Sequence, residues 1–109
     1  MIETIENTII KNLTSNEEYM RKVLPFLKPD YFDNTHEKVI FEEIAKFIVA
    51  YDKSPTSEIL SIECEKRKDI NDDAYKDILE YLKNLETLEE SIDDWLIDTT
   101  EKWCKERAI

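Results

Sequence analysis

The fold of this chain is decided by the stretch KPDYFDNTHEKVIFEEIAKFIVAY, residues 28–51. A proline corner opens it, with one turn of helix predicted at residues 29–31. Asn34 follows, a residue type that caps helices, with Glu37 three positions later. Behind this cap, apolar side chains cover most of a helix circumference: Val39, Ile40, Phe41, Ile44, Ala45, Phe47, Ile48 and Tyr51. A helix that is apolar over so wide an arc is surrounded by others, so we predict the central helix of the core.

The segments on either side of this stretch also show helical spacing, without the strict alternation that indicates strands. Ser15 and Glu18 form a possible capping box for a second helix, which should end at about Leu24 because Pro25 follows. Thr56 or Ser57 is the predicted start of a further helix. The sequence therefore predicts an all-α fold that opens with a small bundle of about four to five short helices.

The last third of the chain predicts a different arrangement. Asn71 and Ser91 are candidate caps for two helices whose apolar stripes are narrow, as in a coiled-coil seam. Because the link at about residues 85–90 is short, the two helices should run antiparallel. We therefore predict a globular helical subdomain over residues 1–68 and a helical hairpin over residues 69–109.

Length and composition favour one soluble domain. The chain has 109 residues, of which 41% are hydrophobic and 38% charged, and it contains no glycine. It has no apolar run long enough to span a bilayer and no leader-like start, which predicts a cytoplasmic protein without membrane contact. Cys64 and Cys104 have neither a zinc nor a redox spacing, so we expect buried or half-buried free thiols.

The net charge of −11 is concentrated in one segment. Residues 69–101 contain 12 acidic residues against Lys76 and Lys83. Phosphate binding needs clustered Lys and Arg, so little or no direct nucleic-acid binding is expected. The segment is suited either to attracting basic proteins or simply to forming a solvated helix face.

A search for chemistry identifies no catalytic, cofactor-binding or metal-binding residues. His36 is the only histidine, which excludes a histidine dyad, and its position predicts the first turn of the central helix. The carboxylate pairs at residues 72–73 and 93–94 follow helix caps and face different directions. No nucleotide-binding, nucleophile-elbow or zinc-protease motif is present. A carboxylate metal enzyme is the weakest of the alternatives.

The two tryptophans indicate an interface. Trp95 and Trp103 are eight residues apart, about 80° around a regular helix, so both can face one side of it. In one interpretation both side chains fill the interior of the hairpin. In the other they lie in a surface shared with a partner, because a two-helix hairpin has little interior of its own. We favour self-association through the following residues: Tyr75, Ile78, Leu82, Leu85, Ile92, Trp95, Leu96 and Trp103.

The order of motifs resembles that of a known family. The shared positions are Leu13, the corner at residues 28–32, His36, the pair Ile40 and Phe41 with Ile44, and Pro55. In this order and spacing the chain resembles the N-terminal domain of DnaB-type replicative DNA helicases over nearly its whole length. Its closing DDWLIDTTEKWCKERAI, residues 93–109, is most similar to the phage (T4-like) branch.

This resemblance implies a non-catalytic collar domain that takes part in DNA replication. Such domains assemble into the collar of a hexameric ring, their hairpins pair neighbouring subunits, and they meet primase and helicase-loading proteins. ATP and Mg belong to a following RecA-like motor domain, which we expect to lie outside this chain. The alternative is a free-standing acidic inhibitor that mimics DNA. The reading frame after Ile109 distinguishes the two, since a phosphate loop there favours the helicase and a stop codon favours the mimic.

Overall fold

The computed structural model describes residues 4–86 and 93–108 of the chain. Those residues contain helices and no strand, which confirms the predicted all-α class. The α-helices are α1 (Ile5–Ser15), α2 (Glu17–Val23), α3 (Thr35–Tyr51), α4 (Ser57–Glu65), α5 (Asp72–Leu85) and α6 (Asp93–Arg107). Two 3-10 turns, Leu24–Phe26 and Pro29–Tyr31, form the corner between α2 and α3, and the second of them was predicted.

Side-chain caps start three of the helices where the sequence predicts them. Asn34 Oδ1 accepts from the backbone N–H groups of His36 at 2.8 Å and Glu37 at 3.2 Å. Thr56 and Asn71 each accept from the backbone three residues ahead. These bonds satisfy amides that a helix leaves without an internal partner.

The predicted cap at Ser15 is wrong. Helix α1 includes Ser15, whose Oγ donates to the Lys11 carbonyl at 2.9 Å, so this residue still has helical geometry. The extended residue is Asn16, and its side chain accepts from Tyr19 N at 3.1 Å. Asn16 therefore ends α1 and starts α2 without an intervening loop. The other predicted cap, Ser91, lies outside the described residues.

One continuous hydrophobic core joins the helices. Helix α3 contributes a fully buried stripe and α5 packs on α3 and α4, whereas α6 packs on α1 and α2. Apolar residues of both predicted subdomains belong to the same core: Ile9, Ile10, Leu13, Ile40, Phe41, Ile44, Ile78, Leu82, Leu85, Leu96 and Trp103. The division into residues 1–68 and a hairpin over 69–109 stays a prediction, because most of the predicted hairpin link at residues 85–90 lies outside the described residues.

Helix α3 is less completely enclosed than its apolar arc predicts. Ile40 and Ile44 are fully buried, but Tyr51, the last residue of the predicted arc, is 66% exposed. The reason is that the neighbouring helices cover the first three turns of α3 on most sides and leave its last turns open on one side. Both cysteines are buried free thiols, as predicted.

Candidate interaction surfaces

The structure separates the predicted interface residues into buried and accessible groups. Five of the eight are in the chain's own core, with at most 6% exposure: Ile78, Leu82, Leu85, Leu96 and Trp103. Helices α5 and α6 turn their apolar stripes towards α1 to α4, which supply the partner surface that the sequence interpretation assigned to a second copy. In this fold these five side chains are therefore unavailable to another molecule.

The other three predicted residues have different surroundings. Tyr75 is half-buried, and its hydroxyl donates to the Ser61 carbonyl at 3.2 Å, which ties α5 to α4. Ile92 lies outside the described residues. Trp95 is 55% exposed, and it is the one member of the set that presents a large apolar surface to solvent in the described part of the chain.

Trp103 is held by aromatic and polar contacts from distant parts of the sequence. Its ring lies 5.1 Å from Phe32 and 6.1 Å from Tyr31, measured between centroids. The indole Nε1 donates to Glu6 Oε1 at 3.2 Å, and the Arg107 guanidinium lies 5.3 Å from the ring centroid. Offset and edge-on aromatic pairs of this kind stabilise beyond their buried area. Tyr31 and Phe32, in the corner before α3, thus anchor α6 to the core.

A buried polar cluster joins three helices beside this aromatic group. The Tyr81 hydroxyl of α5 lies 2.6 Å from Glu37 Oε2 of α3 and 2.8 Å from Asn7 Oδ1 of α1. Burial raises the pKa of Glu37, and the nearby carboxylates of Glu6 and Asp33 raise it further. Burial also raises the pKa of Tyr81, as does its hydrogen bond to Glu37. The cluster fixes α5 on the core, and no sequence motif indicated it.

A shallow cleft of about 200 Å³ opens between α3 and α4 where the last turns of α3 are uncovered. Phe47 and Tyr51 form its aromatic wall, with ring centroids 4.7 Å apart. The lining residues are Glu43, Lys46, Phe47, Ala50, Tyr51 and Glu63. All of them except Glu63 lie on α3, at positions i, i+3, i+4, i+7 and i+8, which places these five on one face. The cleft departs from the sequence interpretation, which treated Phe47 and Tyr51 as core.

A buried ion pair forms the floor beside this cleft. The Glu43 side chain is 2% exposed, and its Oε2 accepts from Arg67 Nη1 at 2.8 Å. Arg67 also pairs with Glu42 at 3.2 Å and with Asp69 at 2.5 Å. The Arg67 guanidinium, through its hydrogen bonds, lowers the pKa of Asp69. Sequence reasoning missed this cluster because Arg67 lies in EKRKDIN, residues 65–71, which reads as a polar connector.

Exposed charges differ between the cleft and the surface around Trp95. At the cleft the charges are mixed and paired: the lining Lys46 is 71% exposed and bonded to Glu43, and the lining Glu63 is 38% exposed and bonded to Lys66. Trp95 is flanked on α6 by Asp94 and Asp98, both exposed. One surface is therefore an apolar hollow bordered by paired charges of both signs, and the other is an indole with carboxylates beside it.

Phe26, 62% exposed, marks a third apolar surface. It stands between two hollows on the flank of α6, of about 30 and 220 Å³, which share Glu101 and Cys104. Burial raises the pKa of the Cys104 thiol, as does the Glu101 carboxylate, so the sulfur here is a neutral packing group.

His36 lies in the first turn of α3, as predicted, with Nε2 3.5 Å from Asp77 Oδ2. Residues 4–86 and 93–108 contain no group of three or more His, Cys, Asp or Glu side chains arranged to hold a metal ion. In the same ranges, no helix combines the length and apolarity needed to cross a membrane.

Comparison of the chain with protein-family models, with curated proteins and with solved structures finds no match.

Proposed function

We propose that this chain is an assembly domain of the collar type found in DnaB-like replicative helicases of the phage branch. It contributes subunit contacts and docking sites to a hexameric ring, and the catalysis belongs to a motor domain. ATP and Mg would act there, not in this domain.

One observation carries the proposal: the residues of the resemblance pack together. Phe32 of the corner lies 5.3 Å from Phe41 of α3 and 5.1 Å from Trp103 of α6, measured between ring centroids. Ile40 and Ile44 are fully buried in the same core. Widely separated motifs that build one packed centre support a resemblance of the whole domain rather than of isolated stretches. The accessible aromatic side chains Phe26, Tyr51 and Trp95 support a binding role.

Docking of primase and of a helicase loader is the part of the proposal that concerns other proteins. An exposed aromatic side chain surrounded by charged groups is typical of interface centres, where Trp and Tyr supply much of the binding free energy. Trp95 and the cleft beside Tyr51 are two separate surfaces of this kind, so one collar domain has room for a neighbour and for a second protein.

Binding measurements with the primase and loader encoded by the same genome test the proposed function. The chain is immobilised, each purified protein is passed over it, and Trp95→Ala and Tyr51→Ala variants are compared with the unaltered chain. We expect saturable binding of at least one of the two proteins, weakened by one of these changes. Absence of binding by both proteins would contradict the docking role.

An acidic DNA mimic is the second candidate, and the outer surface of α5 favours it. Asp72, Asp73, Asp77 and Glu80 are all exposed there. A mimic would bind a nucleic-acid-binding enzyme in a strongly salt-dependent way and would lose that binding when Asp73, Asp77 and Glu80 are changed to amides. A collar domain retains its partner binding when these three carboxylates are neutralised, so the triple variant separates the two functions.

A further inference from the structure

Glu37 is a buried carboxyl group whose hydrogen bonds need one more hydrogen than its partner supplies. The Tyr81 hydroxyl lies 2.8 Å from Asn7 Oδ1 and 2.6 Å from Glu37 Oε2, so three oxygen atoms form a row with two short contacts. Each contact needs a hydrogen atom between its two oxygens, and a tyrosine hydroxyl carries only one. The second hydrogen therefore comes from the Glu37 carboxyl group or, if the amide is turned over, from Asn7.

We propose that Glu37 keeps its proton in the folded chain and donates it to Tyr81, which in turn donates to Asn7. This row of bonds joins α3, α5 and α1, and we call it the proton latch. Loss of the proton as pH rises leaves the Tyr81 hydroxyl with two acceptors and one hydrogen, so α5 loosens from the other two helices. The latch is a property of the fold and does not depend on the proposed function.

The charges around Glu37 favour the protonated form. The residue is 6% exposed, and an ionised carboxyl group is costly to bury unless a cation compensates it. Two other carboxylates lie near it, Glu6 on α1 and Asp33 before α3. Arg107 of α6 is bonded to both of these, at 3.4 and 2.8 Å, and in the described part of the chain no ion pair reaches Glu37. Retaining the proton leaves Arg107 with two carboxylates to balance instead of three.

Two effects favour the ionised form, and each is limited. The first turn of α3 presents amides that favour a carboxylate, but Asn34 Oδ1 already accepts from the amides of His36 and Glu37. A Tyr81 hydroxyl that donated to Glu37 would lower the pKa of this carboxyl group, but burial is the larger effect and the pKa is raised. Hydrogen-bond geometry and charge thus both favour a proton on Glu37.

The alternative arrangement turns the Asn7 amide over. Its nitrogen then donates to Tyr81, and Tyr81 donates to an ionised Glu37. The two arrangements assign opposite roles to the Tyr81 hydroxyl, which accepts from a neutral carboxyl group in the first and donates to a carboxylate in the second. A hydrogen bond to the neutral form raises a carboxyl pKa, and one to the charged form lowers it. Tyr81→Phe therefore shifts the titration of Glu37 in opposite directions in the two cases.

Carbon-13 NMR of the side-chain carboxyl groups measures the protonation of Glu37 directly. Glu37→Gln assigns the Glu37 resonance by its absence, and circular dichroism shows that each variant is folded. We expect this resonance to titrate at a pH above the ordinary glutamate pKa of about 4.3. In Tyr81→Phe the midpoint should move to lower pH. A midpoint at or below the ordinary value, or one that moves upward in Tyr81→Phe, would overturn the proposal.

Amide hydrogen exchange tests whether the proton holds α5. As pH rises through the Glu37 midpoint, the protection factors of α5 amides should fall relative to those of Glu37→Gln, because glutamine stays neutral and keeps a donor for Tyr81. Both chains carry His36→Gln, since His36 Nε2 lies 3.5 Å from Asp77 Oδ2 and changes its charge with pH at the same α3–α5 contact.

Helix α2 is the internal control, because it packs on α1 and α6 and has no part in the latch. Its protection factors should stay in constant ratio between the two chains. An α5 ratio that is independent of pH would show that the proton does not hold this helix. An equal loss in α2 and α5 would show a change in global stability and would also contradict the latch. The primase and loader measurements are independent of these outcomes.

Discussion

The two tryptophans of α6 differ more than their positions on one helix indicate. Trp103 is 6% exposed and contacts Tyr31, Phe32 and Glu6, whereas Trp95 is 55% exposed. They are separated by about 80° around the helix, and the edge of the core falls between them. The comparison teaches that an apolar stripe predicts which helix face is inward, while the neighbouring elements decide how far around the helix the core extends.

The largest effect on stability is expected when the buried tryptophan, Trp103, is replaced. Trp103→Ala leaves a cavity beside Phe32 and removes the donor to Glu6, so the free energy of unfolding should fall by about 3–5 kcal/mol. Trp95→Ala, measured at a dilution where the chain is monomeric, should change it by about 0.5 kcal/mol or less. Denaturant titration of both variants checks this, and equal losses would show that both side chains belong to the core.

A similar contrast holds for two arginines. Arg67→Ala leaves the buried Glu43 carboxylate with only the exposed Lys46 as a cationic partner, so we expect a loss of about 3 kcal/mol. Arg21→Ala removes an exposed pair with Glu17 and should cost about 1 kcal/mol or less. Thermal or denaturant unfolding of the two variants measures the difference. An Arg67 variant as stable as the Arg21 variant would contradict the role given to the buried pair.

The pH dependence of stability tests the buried cluster around Glu37. Its raised pKa means that the folded chain holds the Glu37 proton more tightly than the unfolded chain does. The stability it contributes is therefore fully present below the ordinary glutamate pKa and is lost as pH rises through the raised value. Glu37→Gln cannot titrate, so the stability of the unaltered chain relative to this variant should fall as pH rises above the ordinary glutamate pKa of about 4.3. A difference that is flat or rises with pH would exclude a raised pKa.

The smallest effect concerns the backbone at the end of α3. Asp52 has φ of 56°, the left-handed region in which glycine carries no side-chain penalty. Asp52→Gly should stabilise the chain by about 0.5–1 kcal/mol, because glycine removes the side-chain penalty of this backbone region. The change removes the exposed contact of Asp52 Oδ1 with Arg21 Nε at 3.9 Å and keeps the bond from Arg21 to the Asp52 carbonyl at 3.2 Å. Asp52→Ala should destabilise it. The unfolding midpoints of the two variants test this prediction. An alanine variant that is more stable than the unaltered chain would contradict a strained backbone at Asp52.

Local signals made much of the fold predictable. Asn34, Thr56 and Asn71 start helices because a side-chain oxygen reaches an amide two or three residues away, which sequence alone specifies. The turn at residues 29–31 follows from the fixed backbone of a proline. The predicted cap at Ser15 was wrong because the neighbouring Asn16 is an equally good cap. Helix α1 includes Ser15, so Asn16 is the residue that starts α2.

Contacts between distant residues could not be predicted from local pattern. Arg67 reaches Glu43 across 24 residues and Tyr81 reaches Glu37 across 44, and neither pair has a spacing rule. The predicted interface at Ile78, Leu82 and Leu96 followed from treating residues 69–109 as a separate hairpin. The packing of α5 and α6 on the other helices buries these side chains. Among the described members of the predicted set, Trp95 is the exposed one, because no element of the described chain covers its side of α6.

Fluorescence of single-tryptophan chains tests the division between core and docking surface most directly. Trp103→Phe keeps an aromatic ring beside Phe32 and leaves Trp95 as the only emitter, while Trp95→Phe leaves Trp103. Acrylamide quenching of Trp95 should be strong in dilute solution and should weaken, with a blue shift of emission, as concentration rises and chains associate. Trp103 should be shielded at every concentration. Quenching of Trp95 that is independent of concentration while the chain associates would contradict the account.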